Sequence, residues 1–393
     1  MERDKIRIAC IGNMNNALFC VTRHLRDAGY NADLLLLEEF SHFLPQSDSY
    51  EEDLTYVKQL NWYDIGHWAI DKKKIASDLD RYNFFIGTDL VPAFFEKAGL
   101  SLDIFIPHGG DIFHHCYYTF QRFPPKKYEI GAWWRSRQQI KGARKAKMIM
   151  LDSAGESFDK YFRELKIEHN RVFANAPYIY PVQYSSKNIE HSNQYFKAKE
   201  VKDKHDIVFF HQCRHVWKTH IDTLHYKAND RIIVGFKKFV DQNSEINPLL
   251  IMFEYGWDFE ESKKLVTQLG IDKHVLWLPT MQRKDLMVWL YFADLGIGEV
   301  ANSWFSYGSV YEVLTMKKPF LGFRNDKDFE KDYPIQYPMI SANTADLISE
   351  AFQDVYRNPS KYKEMGQQGY EWFMRYAIEK PITEIVKQIE SKK

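Results

Sequence analysis

Neither sign of charge dominates this chain: 53 Lys and Arg stand against 53 Asp and Glu over 393 residues. Nucleic-acid binders show a basic excess, so that class is disfavoured. Cysteine is scarce. The four residues Cys10, Cys20, Cys116 and Cys213 form no CxxC pair and have no zinc-ligand spacing. Cys10 and Cys213 lie in or beside apolar strands and read as small buried hydrophobes. No apolar run approaches the ~20 residues that span a bilayer. A charged cluster and then a strand open the chain, where a signal peptide would have an apolar core. The expectation is a soluble, reduced, cytoplasmic protein, with a peripheral membrane contact left open. Short internal repeats and low-complexity arrays are missing too.

Aromatic residues, by contrast, are plentiful, with 10 Trp, 24 Tyr and 28 Phe. Most should pack in cores, leaving a few loop rings to stack on sugars or bases. The length predicts two or three domains. Apolar runs of strand length alternate with helical patterns. In the first half the strands are Ile6–Ile11, Ala32–Leu37, Asn83–Gly87, Ile104–His108, Met148–Leu151 and Val172–Asn175, with helices over Leu18–Gly29, Val91–Gly99 and Gln138–Lys147. A polar stretch rich in Ser, Asn, Lys and Glu, Tyr184–Lys204, reads as a linker. The alternation restarts with strands Ile207–His211, Leu249–Glu254, Val275–Leu278 and Leu295–Ile297 and helices Asp230–Val240, Ser262–Leu269 and Lys284–Phe292. The expected architecture is α/β: two Rossmann-like domains, 1–184 and 205–375, facing a central cleft.

In open α/β sheets, ligands bind beyond the carboxyl ends of the strands. Four such ends carry useful chemistry. Gly12-Asn13 follows the first strand without a GxGxxG fingerprint, and is either a tight turn or part of a cleft lining. His108-Gly109-Gly110-Asp111 follows an apolar strand. Its glycines allow close backbone approach, its histidine can exchange a proton, and Asp111 could cap the next segment instead. The neighbouring His114 and His115 have no metal-ligand spacing with carboxylates and read as loop residues. Arg214 follows the strand Ile207–His211, with Lys218 next and Lys227 just before Asn229-Asp230, a candidate helix N-cap. A guanidinium and an ammonium beside a helix N-terminus suit a diphosphate.

The fourth end is the richest. Asp294–Phe320 reads DLGIGEVANSWFSYGSVYEVLTMKKPF. A short strand runs to Gly298 and Glu299. An aromatic loop with Trp304 and Tyr307 follows, and Gly308-Ser309 open a helix with Glu312 expected in its first turn. Unpaired amides at a helix start bind anions, and an acidic residue just inside can take ligand hydroxyls.

Together these pieces resemble a GT-B glycosyltransferase of family four, the retaining class that uses nucleotide sugars. The resemblance covers nearly the whole chain and is strongest from Ile207 to Phe320. FFHQCRHVW and YKANDRIIVGF match the family's start of the second domain, which implies Arg214 and Lys227 as diphosphate ligands. LLIMFEYG places Gly256 at the family's strand-end glycine. VLWLPTMQRKDLMVWLYFADLGIG is similar to the base-holding segment, implying base contacts through the backbone from Leu278 through Thr280 to Met281. The resemblance implies a C-terminal helix, 376–393, crossing back onto the first domain. It also places His108 beside the transferred sugar. Of the family's Glu-x7-Glu motif, Glu312 matches the second, ribose-binding glutamate. Trp304 occupies the first position, which normally contacts the donor sugar, and Glu299 is a substitute at a different spacing.

The implied reaction moves a sugar from a nucleoside-diphosphate sugar to a glycan or lipid-linked acceptor. Arg214, Lys227 and the helix start would stabilise the leaving diphosphate. Asp78-Leu79-Asp80 and Asp326-Lys327-Asp328 have DxD form but lie in charged segments, so no obligatory metal and no other cofactor is expected. Two alternatives stay open: a catalytically degenerate sugar-binding or partner subunit, and a GT-B epimerase.

Overall fold

The structure, a computed structural model, describes residues 5–38, 44–113, 115–116, 126, 129–151, 156–167, 170–174, 176–219 and 225–392. The chain divides into two units: Met1–Tyr180 with Arg375–Lys393, and Pro181–Met374.

The first unit holds β1 (Arg7–Ile11), β2 (Asn31–Leu36), β3 (Val57–Gln59), β4 (Phe84–Gly87), β5 (Ile104–Phe105), β6 (Met148–Met150) and β7 (Arg171–Val172). They form one sheet in the order β3-β2-β1-β4-β5-β6-β7. Every described pairing is parallel, with Ile8 beside both Ala32 and Phe84. Strands covered on both faces must be apolar on both. Accordingly, Ala9 and Ile11 pack with Phe94 and Phe105 on one face, and Ile8 and Cys10 with Leu18 and Phe84 on the other.

The second unit holds β8 (Ile207–His211), β9 (Pro248–Phe253), β10 (Val275–Leu278), β11 (Leu295–Ile297), β12 (Phe320–Gly322) and β13 (Ile340–Ser341). Their order is β10-β9-β8-β11-β12-β13, again parallel throughout the described pairs. Phe209, Phe236, Phe239 and Phe352 pack in its core, with Phe209 stacked on Phe352 at 4.2 Å.

Each sheet therefore reverses its strand order once, between β1 and β4 in the first unit and between β8 and β11 in the second. A reversal sends the flanking connections to opposite faces and leaves a crevice at the carboxyl ends.

The chain leaves the second unit at Met374, inside the π-helix Phe373–Glu379. The last helix, Lys380–Ser391, then buries Ile385 and Ile389 in the first unit's core. Tyr30 and Glu390 bond at 3.2 Å, and Lys392 pairs with Asp103 at 2.8 Å, within that unit.

Residues 184–204 are not a linker. They contain helices Ser186–Ile189 and Tyr195–Asp203, which belong to the second unit. Ser192 bonds Asp285 at 2.9 Å, Trp289 donates to Gln194 at 3.3 Å, and Tyr195 packs edge-on to Phe292. Only Tyr184, Ile189 and Ala198 are buried apolar residues here, too few to show a period in the sequence. The helix expected over Gln138–Lys147 starts at Ile130. Strands β3 and β13 were unforeseen, being three and two residues long. Asn175, at the end of one expected strand, and His114 lie outside the described residues.

Candidate functional site

The loop after β8 is held by three polar anchors. Asn229, buried in the first turn of helix Asn229–Gln242, accepts the Val216 N–H at 2.9 Å and donates to His211 Nε2 at 2.8 Å. It is no helix cap, as the sequence suggested: Ala228 holds the cap position at φ 55 and Asn229 reaches outward to order the loop. Asp258 accepts the N–H groups of Trp217, Lys218 and Thr219 at 2.7, 2.8 and 2.9 Å. Burial raises its pKa, but these donors and the Thr219 hydroxyl outweigh that and hold the carboxyl below its usual range. The third anchor is His215, whose Nδ1 meets the Ser262 hydroxyl at 2.8 Å.

Gly256 belongs to this scaffold. It sits at φ +114, and a β-carbon there would overlap the backbone N and O of His215. The close approach lets the His215 N–H reach the Tyr255 carbonyl at 2.8 Å. Gly256→Ala should cost about 1–3 kcal/mol, the scale of overpacking and of a strained dihedral. Urea denaturation checks this, and an unchanged midpoint would release the glycine from the role.

His211 accepts at Nε2 from Asn229, so its Nδ1–H donates to the Ile297 carbonyl at 3.1 Å. Burial lowers its pKa to about 4 and that of His215 to about 3. Both are neutral when folded. Their contribution is complete above the unfolded value near 6.5 and is lost as pH falls from there towards 4. Stability should fall by about 1.4 kcal/mol per pH unit for each such histidine across that window. Denaturation midpoints at pH 7 and pH 5 that coincide would contradict the neutral assignment.

On this scaffold stand the charged residues of the β8–β11 crevice. Lys227 and Glu299 form an ion pair, with side chains 15% and 4% exposed. Burial raises the Glu299 pKa, against Lys227, the Trp304 indole and Arg214, which lower it. Arg214 is half-buried, with its guanidinium 5.9 Å from the Trp257 ring. Its carbonyl accepts from Asn229 Nδ2 at 3.3 Å, but among the described residues its side chain makes no hydrogen bond or ion pair. Glu312 is held at both oxygens: Arg283 Nε donates to one at 3.1 Å and Gln212 Nε2 to the other at 3.2 Å. Helix Gly308–Thr315 places Glu312 in its second turn, one turn deeper than expected. Ser309 Oγ lies 3.6 Å from Cys213 Sγ, and no side chain caps the helix start.

The structure thus gathers Arg214, Lys227, Glu299, Trp304, Gly308, Ser309 and Glu312, and adds Gln212 and Arg283, which the sequence reading missed. Tyr307 is a brace, its hydroxyl accepting the Glu299 N–H at 3.0 Å. Lys218 is not in the cluster: its ammonium pairs with Glu261 at the exposed surface. The Leu278 carbonyl accepts the Glu254 N–H at 2.8 Å, while Thr280 is exposed and Met281 half-exposed.

The first unit has its own crevice at the β1–β4 reversal. A small cavity of about 40 Å³ there is lined by Gly12, Asn13, Tyr63 and Asp89, among others. Gly12 is at φ +85 with Thr88 packed against it. The Asn13 side chain is spent on the turn, accepting the Phe19 N–H at 3.0 Å and donating to Asn16 at 2.7 Å. Asp111 is a latch: it accepts the N–H of His108 at 2.7 Å and of Asp89 at 3.0 Å. Burial and the Asp89 charge raise its pKa to about 7. Asp89, at φ 55, meets His115 Nε2 at 2.9 Å. Burial raises the Asp89 pKa, but His115 and Tyr63 outweigh it and the net shift is downward. His115 is therefore more than a loop residue. Asp89 was missed because its place at the reversal is a fact of topology. His108 is half-buried beside Tyr178, its Nε2 has no partner among the described residues, and burial lowers its pKa to about 4. Gly109, at φ +97, has open space where a β-carbon would stand, while Gly110 begins the short helix Gly110–Phe113.

Among the described residues, no group of three or more His, Cys, Asp or Glu is placed to hold a metal ion. Asp78 of the first DxD accepts from the Trp62 indole at 2.9 Å, and Asp326 of the second pairs with Arg324 at 2.6 Å. No described helix is long and apolar enough to cross a membrane.

No protein-family model matches the chain, and no curated protein is similar to it in sequence. Solved structures do resemble it along its length. HepE of Anabaena, crystallised with UDP, has a TM-score of 0.61 at 13% identity, covering 99% of this chain and 100% of its own. Sucrose-phosphate synthase from Thermosynechococcus elongatus scores 0.57 at 11% identity, covering 98% of each chain. The UDP-GlcNAc 2-epimerase of Neisseria meningitidis, bound to UDP-GlcNAc, scores 0.58 at 10% identity, covering 98% of this chain and 99% of its own. The chain is thus a two-unit α/β protein with Rossmann-like sheets. More narrowly, its fold is GT-B, shared by sugar-nucleotide transferases and epimerases.

Proposed function

We propose that the second unit binds a nucleoside-diphosphate sugar and that the protein is a glycosyltransferase, moving the sugar to a glycan or lipid-linked acceptor. The observation that carries this is the half-buried guanidinium of Arg214. It lies at the β8–β11 reversal with Lys227 and the uncapped start of helix Gly308–Thr315, and no described group neutralises it by an ion pair. An unpaired charge out of bulk water calls for a counter-ion, and a diphosphate supplies one in a form that amides and guanidinium bind together. Glu312, fixed by Arg283 and Gln212, keeps lone pairs for ribose hydroxyls. When the glycosidic bond breaks, Arg214, Lys227 and the helix amides stabilise the charge growing on the diphosphate. We take the transfer to be retaining, on the resemblance to family four. A β-phosphate oxygen, with a nearby backbone carbonyl, then helps deprotonate the acceptor, so no carboxylate base is needed.

Calorimetry with UDP, GDP and ADP tests the reading. One diphosphate should bind with 1:1 stoichiometry, and binding of none would overturn it.

Metal independence is part of the proposal, because cationic side chains supply the charge and both DxD segments are engaged elsewhere. Transfer should survive EDTA. Complete loss with rescue by Mg²⁺ would replace this account of leaving-group stabilisation.

Trp304 favours a second reading. An indole stands where family-four enzymes place the sugar-contacting glutamate, and epimerases share the fold. Proton NMR of UDP-GlcNAc with the protein separates the two: a 2-epimer product supports the epimerase, sugar transfer the transferase.

A further inference from the structure

At the opposite end of the second sheet, the amino ends of β8, β11 and β12 surround a cavity of about 790 Å³. Its lining is apolar on one side, with Met316, Pro319, Val355 and Tyr356. Three lysines, Lys317, Lys318 and Lys363, also line it. We propose that this cavity is a second ligand site, for a small organic anion that carries a phosphate or carboxylate on an apolar body.

Three features converge. First, the Lys318 ammonium has no hydrogen-bond acceptor or ion-pair partner among the described residues, and its one recorded contact is the Tyr291 ring at 5.7 Å. Burial lowers its pKa to about 8, with Lys202 and Lys363 acting the same way against Asp294.

Second, the acids at the cavity are already occupied. Asp294 pairs with Lys202 at 2.5 Å and accepts the Val208 N–H at 2.8 Å. Asp206 accepts the Asn247 N–H at 2.7 Å, and Glu364 accepts from Gln368 at 3.1 Å. Among the described residues none of the three forms an ion pair with Lys318, and Asp294 acts on it only from a distance.

Third, helix Pro359–Trp372 starts at this cavity, with Pro359 and Ser360 in its lining. No side chain caps it. Asn358, at the cap position, turns back to Asp354 at 2.6 Å. Uncapped amides and an ammonium with no ion-pair partner among the described residues, beside one void, suit an anionic group, and the apolar wall suits the body that carries it.

Phenyl phosphate is the probe, with inorganic phosphate as the comparison. By calorimetry, phenyl phosphate should bind the full chain more tightly than inorganic phosphate. Lys318→Met keeps the apolar stem and should weaken phenyl phosphate at least about tenfold, the loss of one charge-assisted contact. Equal affinity in the variant, equal affinity of the two phosphates, or no binding of phenyl phosphate would overturn the proposal. If the variant does not fold, labelling of the unaltered chain decides. Pyridoxal 5′-phosphate condenses with a neutral lysine amine, releasing water, and borohydride reduces the imine to a stable secondary amine. Peptide mapping at pH 8 should find the label concentrated on Lys318 and suppressed by phenyl phosphate. Label spread over exposed lysines and unaffected by phenyl phosphate would sink the site. None of these readouts depends on the nucleotide reading of the β8–β11 crevice, so the two can fail separately.

Discussion

Arg214→Ala should weaken nucleoside diphosphate binding by roughly 10- to 150-fold, which corresponds to about 1.5–3 kcal/mol for a hydrogen bond to a charged group. The side chain makes no hydrogen bond or ion pair among the described residues, so its removal breaks none within the fold. Thermal stability without ligand should barely move. Lysine at the same position should restore only part of the affinity, because an ammonium cannot reproduce the planar fork of a guanidinium. Calorimetry on the two variants provides the check, and unchanged affinity in Arg214→Ala would remove the residue from the site.

His108→Ala should cut turnover by about 10²-fold while leaving diphosphate affinity nearly intact. His108 belongs to the first unit, whereas the diphosphate candidates all belong to the second. Its Nε2 is buried without a partner among the described residues, and the low pKa keeps the ring neutral at physiological pH. A neutral imidazole with one free nitrogen can hydrogen-bond a sugar hydroxyl or accept a proton. If the ring only braces the Gly109 turn, thermal stability and activity will fall together. A well-folded, fully active variant would end the catalytic assignment.

Much of the fold could be read from the chain because parallel strands covered on both faces must be apolar on both. Ile207–His211 and Leu295–Ile297 are such runs, and the structure places both where expected. Residues 184–204 were misread because two short helices held by Ser192, Gln194 and Tyr195 need little apolar surface. The candidate site was legible where one local pattern carries its chemistry, as at Gly308-Ser309 and the loop with Arg214. It was illegible where function depends on distant partners. Nothing near Arg283 in sequence announces that it reaches Glu312, and nothing near Asp89 announces the strand reversal beside it. Nor does local sequence announce that the Gly256 turn lies against the backbone of His215 or that Lys218 pairs with Glu261.

The Lys227–Glu299 pair means that the crevice carries an anion of its own beside the ammonium. A ligand that reaches Lys227 shares its ammonium with Glu299 and meets that carboxylate's charge there. A singly charged competitor offers Lys227 little more than it already has. A diphosphate that also engages Arg214 and the helix amides offers several contacts at once. On the proposed function, the pair would act as a threshold that favours ligands of higher charge and longer reach.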